Sequence, residues 1–366
     1  MKVAIVHYWL VSMRGGEKVL EALLELFPQA DIYTHVYDPA RISDAIKRHR
    51  IYTTYINKLP FAKKLYQKYM PLMPHALKEL DLQQYDLVIS SESGPAKGIV
   101  PNPDAFHICY CHSPMRYIWD MYHEYFSGAG WFTRFFMKKL VPQLRVWDIT
   151  SANMVDHFVT NSHYVARRIA RYYNRQADVI YPPADIARYT ALERQPSDFY
   201  LFFGQITGYK RADIAIDACI KLKKKLILIG DGDVKKMRKK YRAYPNITFA
   251  GRVSDDEAAR CLSQAKALLF PGIEDFGIVP IEATSAGCPV IAYKKGGALD
   301  TIQEGVTGIF FEEQTADSLA EAIERFETLP THTFADRQAF TRHVQQFSKE
   351  AFQERIKNVI DARKRL

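Results

Sequence analysis

The chain has 366 residues, of which 48% are hydrophobic and 25% charged, and its formal net charge is +9. This length is sufficient for two domains, and the composition excludes disordered and fibrous classes of protein. No apolar run approaches the roughly 18 residues that a membrane-spanning helix needs. The opening run, residues 1–10, lacks a cleavage site of small residues, so we interpret it as a first strand rather than a signal peptide.

The cysteines and acidic pairs do not predict a metal centre. The five cysteines are an odd number without regular spacing, which favours reduced thiols and a cytoplasmic location. Cys109 and Cys111 precede His112, but no second ligand pair follows at the spacing of a zinc site. Asp231 and Asp233 form an Asp-x-Asp pattern, yet they follow an apolar strand and are better interpreted as a turn. We therefore expect no metal and no other cofactor.

The positive charge is concentrated in two segments that also carry aromatic side chains. Residues 41–79 contain nine lysines and arginines but only two acidic residues. Residues 131–140 read WFTRFFMKKL and contain no acidic residue. Such mixed faces adsorb to anionic lipid headgroups, whereas no nucleic-acid motif accompanies them. We expect a peripheral position on the cytoplasmic face of the inner membrane, with no nucleic acid as partner. Ordinary solvated helix faces are the alternative.

Strand and helix patterns alternate along the N-terminal part of the chain. In chain order we predict a strand at 3–8, a helix at 16–27, a long helix at 61–80, strands at 87–90 and 106–110, a long helix at 132–150, a strand at 155–160, a helix at 164–173 and a strand at 179–180. Pro182 and Pro183 then stiffen the chain, so we place the end of a first domain at residue 184.

A second alternating series occupies residues 185–344. Its predicted strands are 199–203, 226–229, 247–249, 267–270 and 290–292, and its predicted helices are 210–222, 234–241, 255–264 and 279–286. Residues 345–366 are predicted as a final helix outside this series. The alternation predicts an α/β fold of two Rossmann-like domains with parallel sheets.

Two motifs of the first domain follow predicted strands. Gly15 and Gly16 lie between the first strand and its helix, where bare backbone amides could meet a phosphate; a tight turn without a ligand is the alternative. His112 follows another strand and precedes Pro114, so it could hydrogen-bond a ligand at the carboxyl end of the sheet, unless it is a buried structural histidine. Dinucleotide and Walker fingerprints are absent, which disfavours oxidoreductases and kinases.

The strongest motif is an acidic pair in the second domain. Glu274 and Glu282 are separated by seven residues that contain Gly277 and a helix start. The free amides and the dipole at the start of that helix could bind an anion, while each carboxylate could accept hydrogen bonds from hydroxyl groups. A nucleotide sugar combines a diphosphate with ribose and sugar hydroxyls. The alternative is a pair of solvated surface acids.

This pattern closely resembles the Glu-x7-Glu signature of retaining glycosyltransferases of family 4, whose fold is GT-B. The resemblance implies two Rossmann-like domains facing a central cleft, with the final helix, residues 345–366, crossing back to the first domain. It also implies that Glu274 contacts the donor sugar, that Glu282 contacts the ribose, and that the amides around Gly277 meet the diphosphate. The residues that would supply those amides are Phe276, Gly277 and Ile278.

A second element of the resemblance lies in residues 204–211. Family 4 enzymes usually carry Gly-Arg followed five residues later by a lysine that helps to neutralise the leaving diphosphate. Lys210 matches the lysine, but Gln205 occupies the arginine position. An amide contributes no net charge, so we hypothesise that Arg211 or another basic side chain compensates, or that turnover is slow. The resemblance further places the β-phosphate beside Gly15 and Gly16. The loops at residues 230–233 and 251–253, the latter with Arg252 and Val253, are expected to flank the nucleobase.

The run around His112 resembles the subgroup of mannosyltransferases that build polysaccharide repeat units from GDP-mannose. This implies that His112 contacts the donor sugar, and that Lys97 and Arg116 lie on the acceptor side. The catalytic residues would be His112, Lys210 and Glu274. We expect a retaining transfer of a hexose, mannose from GDP-mannose, to a hydroxyl of a lipid-linked or growing glycan. The alternatives are a GT-B nucleotide-sugar 2-epimerase and a non-catalytic nucleotide-sugar-binding protein at a membrane surface.

Overall fold

The computed structural model describes residues 1–330 and 332–363, which form two compact units. The first unit comprises Met1–Pro182 and the segment from Gln353 onward, and the second comprises Pro183–Phe352. Each unit is built around one parallel sheet flanked by helices, so the expected α/β fold with two Rossmann-like units is confirmed. The unit boundary lies two residues before the position that we expected from the Pro-Pro sequence.

The first unit holds a seven-stranded sheet of order β3-β2-β1-β4-β5-β6-β7. Its strands are β1 Val3–His7, β2 Asp31–Thr34, β3 Ile51–Thr53, β4 Leu87–Glu92, β5 Phe106–Cys111, β6 His157–Thr160 and β7 Ala177–Val179. Its helices are α1 Gly15–Leu26, α2 Asp44–Lys47, α3 Ala62–Leu65, α4 Met73–Leu77, α5 Tyr122–Gly128, α6 Trp131–Ala152 and α7 His163–Tyr173. β1 and β4 are buried on both faces, as expected for central parallel strands covered by helices.

The second unit holds a six-stranded sheet of order β10-β9-β8-β11-β12-β13. Its strands are β8 Tyr200–Phe203, β9 Leu226–Ile229, β10 Ile247–Gly251, β11 Leu268–Phe270, β12 Val290–Tyr293 and β13 Gly308–Phe311. Its helices are α8 Ile186–Thr190, α9 Ala212–Lys221, α10 Val234–Lys240, α11 Asp255–Gln264, α12 Ile278–Ser285, α13 Ala298–Thr301, α14 Ala316–Thr328 and α15 Arg337–Val344. Two apolar clusters, one on each face of this sheet, form its core.

The long helix predicted at 61–80 is wrong. The segment instead forms α3, a 3-10 stretch at Tyr66–Leu72 and α4. Pro71 lies inside the 3-10 stretch and Pro74 near the start of α4, and each lacks the amide hydrogen that a continuous α-helix would need. The long helix predicted at 132–150 is confirmed, because α6 accommodates Pro142 and runs over 22 residues.

The C-terminal helix, α16, covers Lys349–Arg363. Residues Gln345–Phe347, predicted as its beginning, form a separate 3-10 turn. From Gln353 onward the helix belongs to the first unit, where the Gln353 amide donates to the carbonyl of Ala22 at 3.1 Å. The last three residues of the predicted helix lie outside the described residues. Among the described helices, none combines the length and the apolar character needed to cross a bilayer.

In each sheet, one pair of neighbouring strands marks the point where the chain changes its direction of winding. In the first sheet this pair is β1 and β4, and in the second it is β8 and β11. Loops at the carboxyl ends of two such strands diverge to opposite faces and leave a crevice in which α/β proteins bind ligands. The two switch points therefore locate the candidate site of each unit.

Candidate functional site

The second unit brings Lys210 and Glu274 together at its switch point. Lys210 follows β8 and Glu274 follows β11, and the Lys210 Nζ lies 2.8 Å from the Glu274 Oε1. Both side chains are mostly buried, with exposed fractions of 14% and 18%. An ion pair held in this partly desolvated position keeps a cation and a carboxylate ready beside the same ligand-binding edge.

The loop after β11 ends in a helix start of the kind that binds anions. Gly277 is the N-cap of α12 and has φ 90°, a left-handed conformation that favours glycine. The amides of Gly277, Ile278 and Val279 begin the helix, while Pro280 has no amide hydrogen to offer. The Phe276 side chain is buried, and the predicted contact of its backbone amide with a diphosphate stays a prediction.

Glu282 lies one turn further along α12. Burial raises the pKa of its carboxyl to about 7, and a hydrogen bond with Tyr189 acts in the opposite direction. Asp255 and Asp185 raise the pKa further, while Arg188 lowers it. Ligand-free Glu282 therefore changes its charge near neutral pH, and a diol that donates to its carboxylate would favour the ionised form.

Tyr189 and Arg188 are site residues that our sequence analysis did not identify. Both belong to α8, a helix of five residues directly after the proline linker, which packs against α12. Arg188 pairs with Asp255 at 2.9 Å and with Asp185 at 3.2 Å. So short a helix has no periodic pattern of its own, and only tertiary packing brings its side chains to Glu282.

Whether Arg211 compensates for the arginine that is missing at position 205 stays a prediction. Gln205 is exposed, in the loop after β8. Arg211 lies one residue beyond Lys210, but its guanidinium forms a fork with the Asp213 carboxylate, at 3.1, 3.2 and 2.9 Å. Arg211 would have to leave this ion pair before it could contact a phosphate, as Lys210 would have to leave Glu274. Whether turnover is slow stays a prediction.

The loops after β9 and β10 adjoin the loop after β8. The Ile206 amide donates to the Asp231 carbonyl at 2.7 Å, and the Gly230 amide donates to the Gly251 carbonyl at 2.8 Å. Arg252 is exposed at the end of β10, and Val253 packs partly into the core. The predicted nucleobase contacts thus lie on the same sheet edge as Lys210, and their role stays a prediction.

In the first unit, Gly15 and Gly16 form the start of α1, next to the end of β1. A Cβ atom at position 16 would lie 2.5 Å from the Tyr8 hydroxyl, so the buried Tyr8 side chain would have to move to accommodate it. A Cβ atom at position 15 would meet nothing within 4 Å. The packing of the protein therefore does not itself require glycine at position 15. The predicted close approach of a phosphate would give this glycine a role.

His112 lies just beyond β5, half-buried, with its backbone and ring both fixed. Its amide donates to the Glu92 carbonyl at 2.8 Å, and its carbonyl accepts from the Asn161 side chain at 3.0 Å. The ring Nε2 lies 2.9 Å from the Ser91 Oγ. Arg116 is half-buried in the following loop, where its guanidinium contacts the Met121 sulfur at 3.7 Å.

Lys97 has a structural position, which corrects our expectation that it lies on the acceptor side. It is fully buried, and its ammonium contacts the Glu92 Oε1 at 2.6 Å and also the Asp148 carboxylate. Asp148, on α6, further accepts from Trp119 at 2.7 Å and Tyr173 at 2.9 Å. An ammonium enclosed in this way holds β4 and α6 together and has no access to a substrate.

The residues that could ligate a metal are dispersed. Within 1–330 and 332–363, no group of three or more histidine, cysteine or acidic side chains is arranged to hold an ion. All five cysteines are unpaired with one another, and four of them are buried. Independence from metal stays a prediction that a chelator would test.

Two family models match consecutive parts of the chain. The model described as Glycosyltransferase Family 4 matches residues 13–188, and the one described as Glycosyl transferases group 1 matches residues 187–351. Alpha-1,3/1,6-mannosyltransferase ALG2 of Homo sapiens is 27% identical over 262 residues, which are 60% of this chain and 62% of that protein. A GDP-mannose-dependent alpha-(1-6)-phosphatidylinositol monomannoside mannosyltransferase of Mycobacterium tuberculosis is 31% identical over 110 residues, 27% of this chain and 29% of that protein. The chain thus spans well under the full length of these curated relatives.

A solved structure shows the same fold over the whole chain. Anabaena Alr3699/HepE, crystallised with UDP and glucose, superimposes with a TM-score of 0.69 at 19% identity and covers 99% of both chains. At this identity the likeness establishes the fold, which is GT-B. Together with the two family models, which leave only short segments at either end unmatched, it leads to one conclusion: the chain belongs to glycosyltransferase family 4.

Proposed function

We propose that the protein transfers mannose from GDP-mannose, with retention of anomeric configuration, to a hydroxyl of a lipid-linked or growing glycan. The observation that carries this proposal is the Lys210–Glu274 ion pair, 2.8 Å long, at the switch point of the second sheet and beside the start of α12. A nucleoside diphosphate sugar matches this set of groups. Its phosphates can contact the cation and the amides at the start of α12, and its hydroxyl groups can donate to the two carboxylates.

The chemistry follows from where charge develops. When the bond between the sugar and the diphosphate breaks, negative charge accumulates on the departing phosphate oxygen. Lys210 and the amides at the start of α12 would stabilise that charge, and preorganised groups of this type account for much of enzymatic catalysis. Once Lys210 turns to the phosphate, the carboxylate of Glu274 is available to accept hydrogen bonds from sugar hydroxyls. His112 would contact the same sugar.

Retention is assigned to a front-face reaction, in which the acceptor attacks from the side of the leaving group. Glu274 is assigned to accept hydrogen bonds from sugar hydroxyls, so no side chain is assigned the role of a covalent nucleophile. Mannose and GDP are favoured because both curated relatives are named mannosyltransferases, one of them GDP-mannose-dependent. The choice remains a proposal because neither relative is matched over its whole length.

The acceptor is proposed to be presented at an anionic membrane surface. The first half of α6 exposes large apolar side chains, with exposed fractions of 82% for Trp131 and 60% each for Phe132 and Phe135. Arg134 and Lys138 are exposed on the same turns. Aromatic rings that enter the headgroup layer together with cations that contact lipid phosphates form a typical interfacial helix.

The membrane contact can be tested with vesicles. Replacing Trp131 and Phe135 by serine is expected to reduce co-sedimentation with anionic vesicles, and added salt should release the unaltered protein. Val146→Ser is the matched control, because Val146 is 63% exposed on the second half of the same helix. Equal loss in both variants, or binding that salt does not weaken, would refute this assignment.

The donor and the reaction are tested by a thermal-shift screen of GDP-, UDP- and ADP-sugars, followed by NMR of the product. We expect the largest stabilisation from GDP-mannose, and a product whose anomeric proton shows the configuration of the donor. Incubation with the donor alone separates the alternatives. Formation of an epimer would indicate a 2-epimerase, and binding without turnover in the presence of acceptors would indicate a non-catalytic protein. An inverted product would refute retention.

A further inference from the structure

A continuous line of four polar side chains crosses the switch point of the first sheet. The Glu17 Oε1 lies 3.7 Å from the His7 Nε2, the His7 Nδ1 lies 3.0 Å from the Ser91 Oγ, and the Ser91 Oγ lies 2.9 Å from the His112 Nε2. Glu17, His7 and Ser91 are at most 1% exposed. The line thus leads from the glycine-rich start of α1, through the interior of the sheet, to the histidine that we assign to the donor sugar.

The carboxylate of Glu17 determines which ring nitrogen of His7 carries hydrogen. The Glu17 Oε2 accepts from the Arg14 amide at 2.9 Å, which orients the carboxylate with its other oxygen toward His7. No acceptor within the described residues lies at hydrogen-bonding distance from the His7 Nε2. A buried negative charge 3.7 Å away nevertheless favours the tautomer with hydrogen on that nitrogen, since a lone pair facing a carboxylate would be repelled.

The donor and acceptor of the other two hydrogen bonds follow from the tautomer of His7. With its proton on Nε2, neutral His7 presents a lone pair at Nδ1, so the Ser91 hydroxyl donates to it. The same hydroxyl oxygen can then only accept from the ring of His112, whose Nε2 must carry hydrogen. The Nδ1 of a neutral His112 consequently carries a lone pair and acts as a hydrogen-bond acceptor.

We propose that Glu17, His7 and Ser91 are positioning residues that hold His112 in its Nε2–H tautomer, so that its Nδ1 accepts a hydrogen bond from a sugar hydroxyl. The tautomer follows from the contacts of the first unit alone, whereas the sugar as donor of the hydrogen bond rests on the proposed function. A fixed tautomer matters because a ring with hydrogen on the wrong nitrogen would face the hydroxyl with a different hydrogen-bonding role.

The tautomer can be observed directly by ring-nitrogen NMR of the full chain labelled at histidine, without ligand, at pH 8. The His112 signals are assigned by their loss in His112→Gln. We expect the Nε2–H pattern in the unaltered protein. Glu17→Gln keeps an oxygen for the Arg14 amide but removes the negative charge, so it should shift the tautomer population of His7. Ser91→Ala should do the same for His112.

The chain offers a matched control on the neighbouring residue. The Ser90 Oγ lies 2.8 Å from the His107 Nε2, so Ser90→Ala removes another buried serine–histidine contact from β4. It should leave the His112 signals unchanged.

Kinetics distinguish positioning from mere stability. Ser91→Ala should lower turnover about tenfold with little change in GDP affinity, because GDP lacks the hexose that His112 is proposed to contact. Ser91→Thr should restore part of the loss. The inference is overturned if ligand-free His112 carries its hydrogen on Nδ1, if His7 is doubly protonated at pH 8, or if Ser90→Ala and Ser91→Ala lower turnover equally. Failure of the proposed function would look different, because GDP binding and turnover would then be absent in the unaltered protein whatever its tautomer.

Discussion

Glu282 combines two properties at one carboxyl group. Its burial raises its pKa to about 7, and it is the residue assigned to the ribose. Below that pH the carboxyl is protonated and can accept only weakly from a diol, whereas above it the carboxylate can accept two hydrogen bonds. Ligand binding and deprotonation are therefore linked.

This linkage predicts that GDP binds more tightly as the pH rises. Because the folded pKa is raised, the ionised form is present only above about 7, and affinity should increase roughly tenfold between pH 6 and pH 8. Calorimetric titration at several pH values measures it. Glu282→Gln corrects for titration of the GDP phosphate, since it lacks the carboxyl. Parallel pH profiles of the two proteins would contradict the assignment.

The two glycines at the start of α1 should respond differently to the same substitution. A Cβ atom at position 16 would collide with Tyr8 at 2.5 Å, whereas one at position 15 meets nothing within 4 Å. We expect Gly16→Ala to lower the melting temperature, and Gly15→Ala to leave it unchanged while weakening donor binding. A thermal melt with and without donor decides this. Undiminished donor binding in Gly15→Ala would remove the argument for a phosphate there.

At the scale of elements, the buried cluster of Lys97, Glu92 and Asp148 connects β4 with α6. Burial lowers the pKa of Lys97, but the Asp148 and Glu92 carboxylates outweigh this effect and raise it, so the ammonium stays charged. Such a cluster contributes little net stability as a whole, but loss of one member leaves charges buried without compensation.

Lys97→Met is accordingly expected to destabilise the first unit by about 3–5 kcal/mol. All four tryptophans, at positions 9, 119, 131 and 147, belong to this unit, so the tryptophan fluorescence of a denaturant titration reports its unfolding. Lys78→Met is a suitable control, because Lys78 is exposed on the same unit. A change below about 1 kcal/mol would show that the cluster is not structural, and would reopen a substrate contact for Lys97.

The elements differ in how well the sequence predicted them, for identifiable reasons. Strand β9 and helix α11 were predicted to the residue, because a clear apolar run marks the strand and a serine N-cap marks the helix. Strands β2 and β3 were missed, since they have only four and three residues and no alternating pattern. The helix predicted at 61–80 failed because apolar periodicity was given more weight than two prolines.

For the whole molecule, the sequence predicted the site residues in motifs at strand ends. It did not predict the side chains from other segments that contact them. Lys210, Glu274 and Glu282 could be identified because they match the spacing of motifs in family 4 glycosyltransferases. Tyr189, Ser91 and His7 could not, because their significance arises from contacts between segments distant in the chain. The burial of Lys97 was hidden for the same reason, since its partner Asp148 lies 51 residues away.

We propose above that the second unit binds a nucleoside diphosphate. All groups assigned to the phosphates and ribose there follow β8 or β11, the two strands that flank the switch point. Family membership and the structural likeness establish the fold, whereas the proposed reaction and its donor depend on these side chains.

The most direct test is calorimetric titration of GDP into the full chain, its Lys210→Ala variant and a Lys236→Ala control, in which an exposed lysine of α10 is removed. We predict binding by the unaltered protein and the control, and an affinity at least about tenfold lower in Lys210→Ala. Absence of binding by the unaltered protein, or equal affinities in all three, would contradict the account.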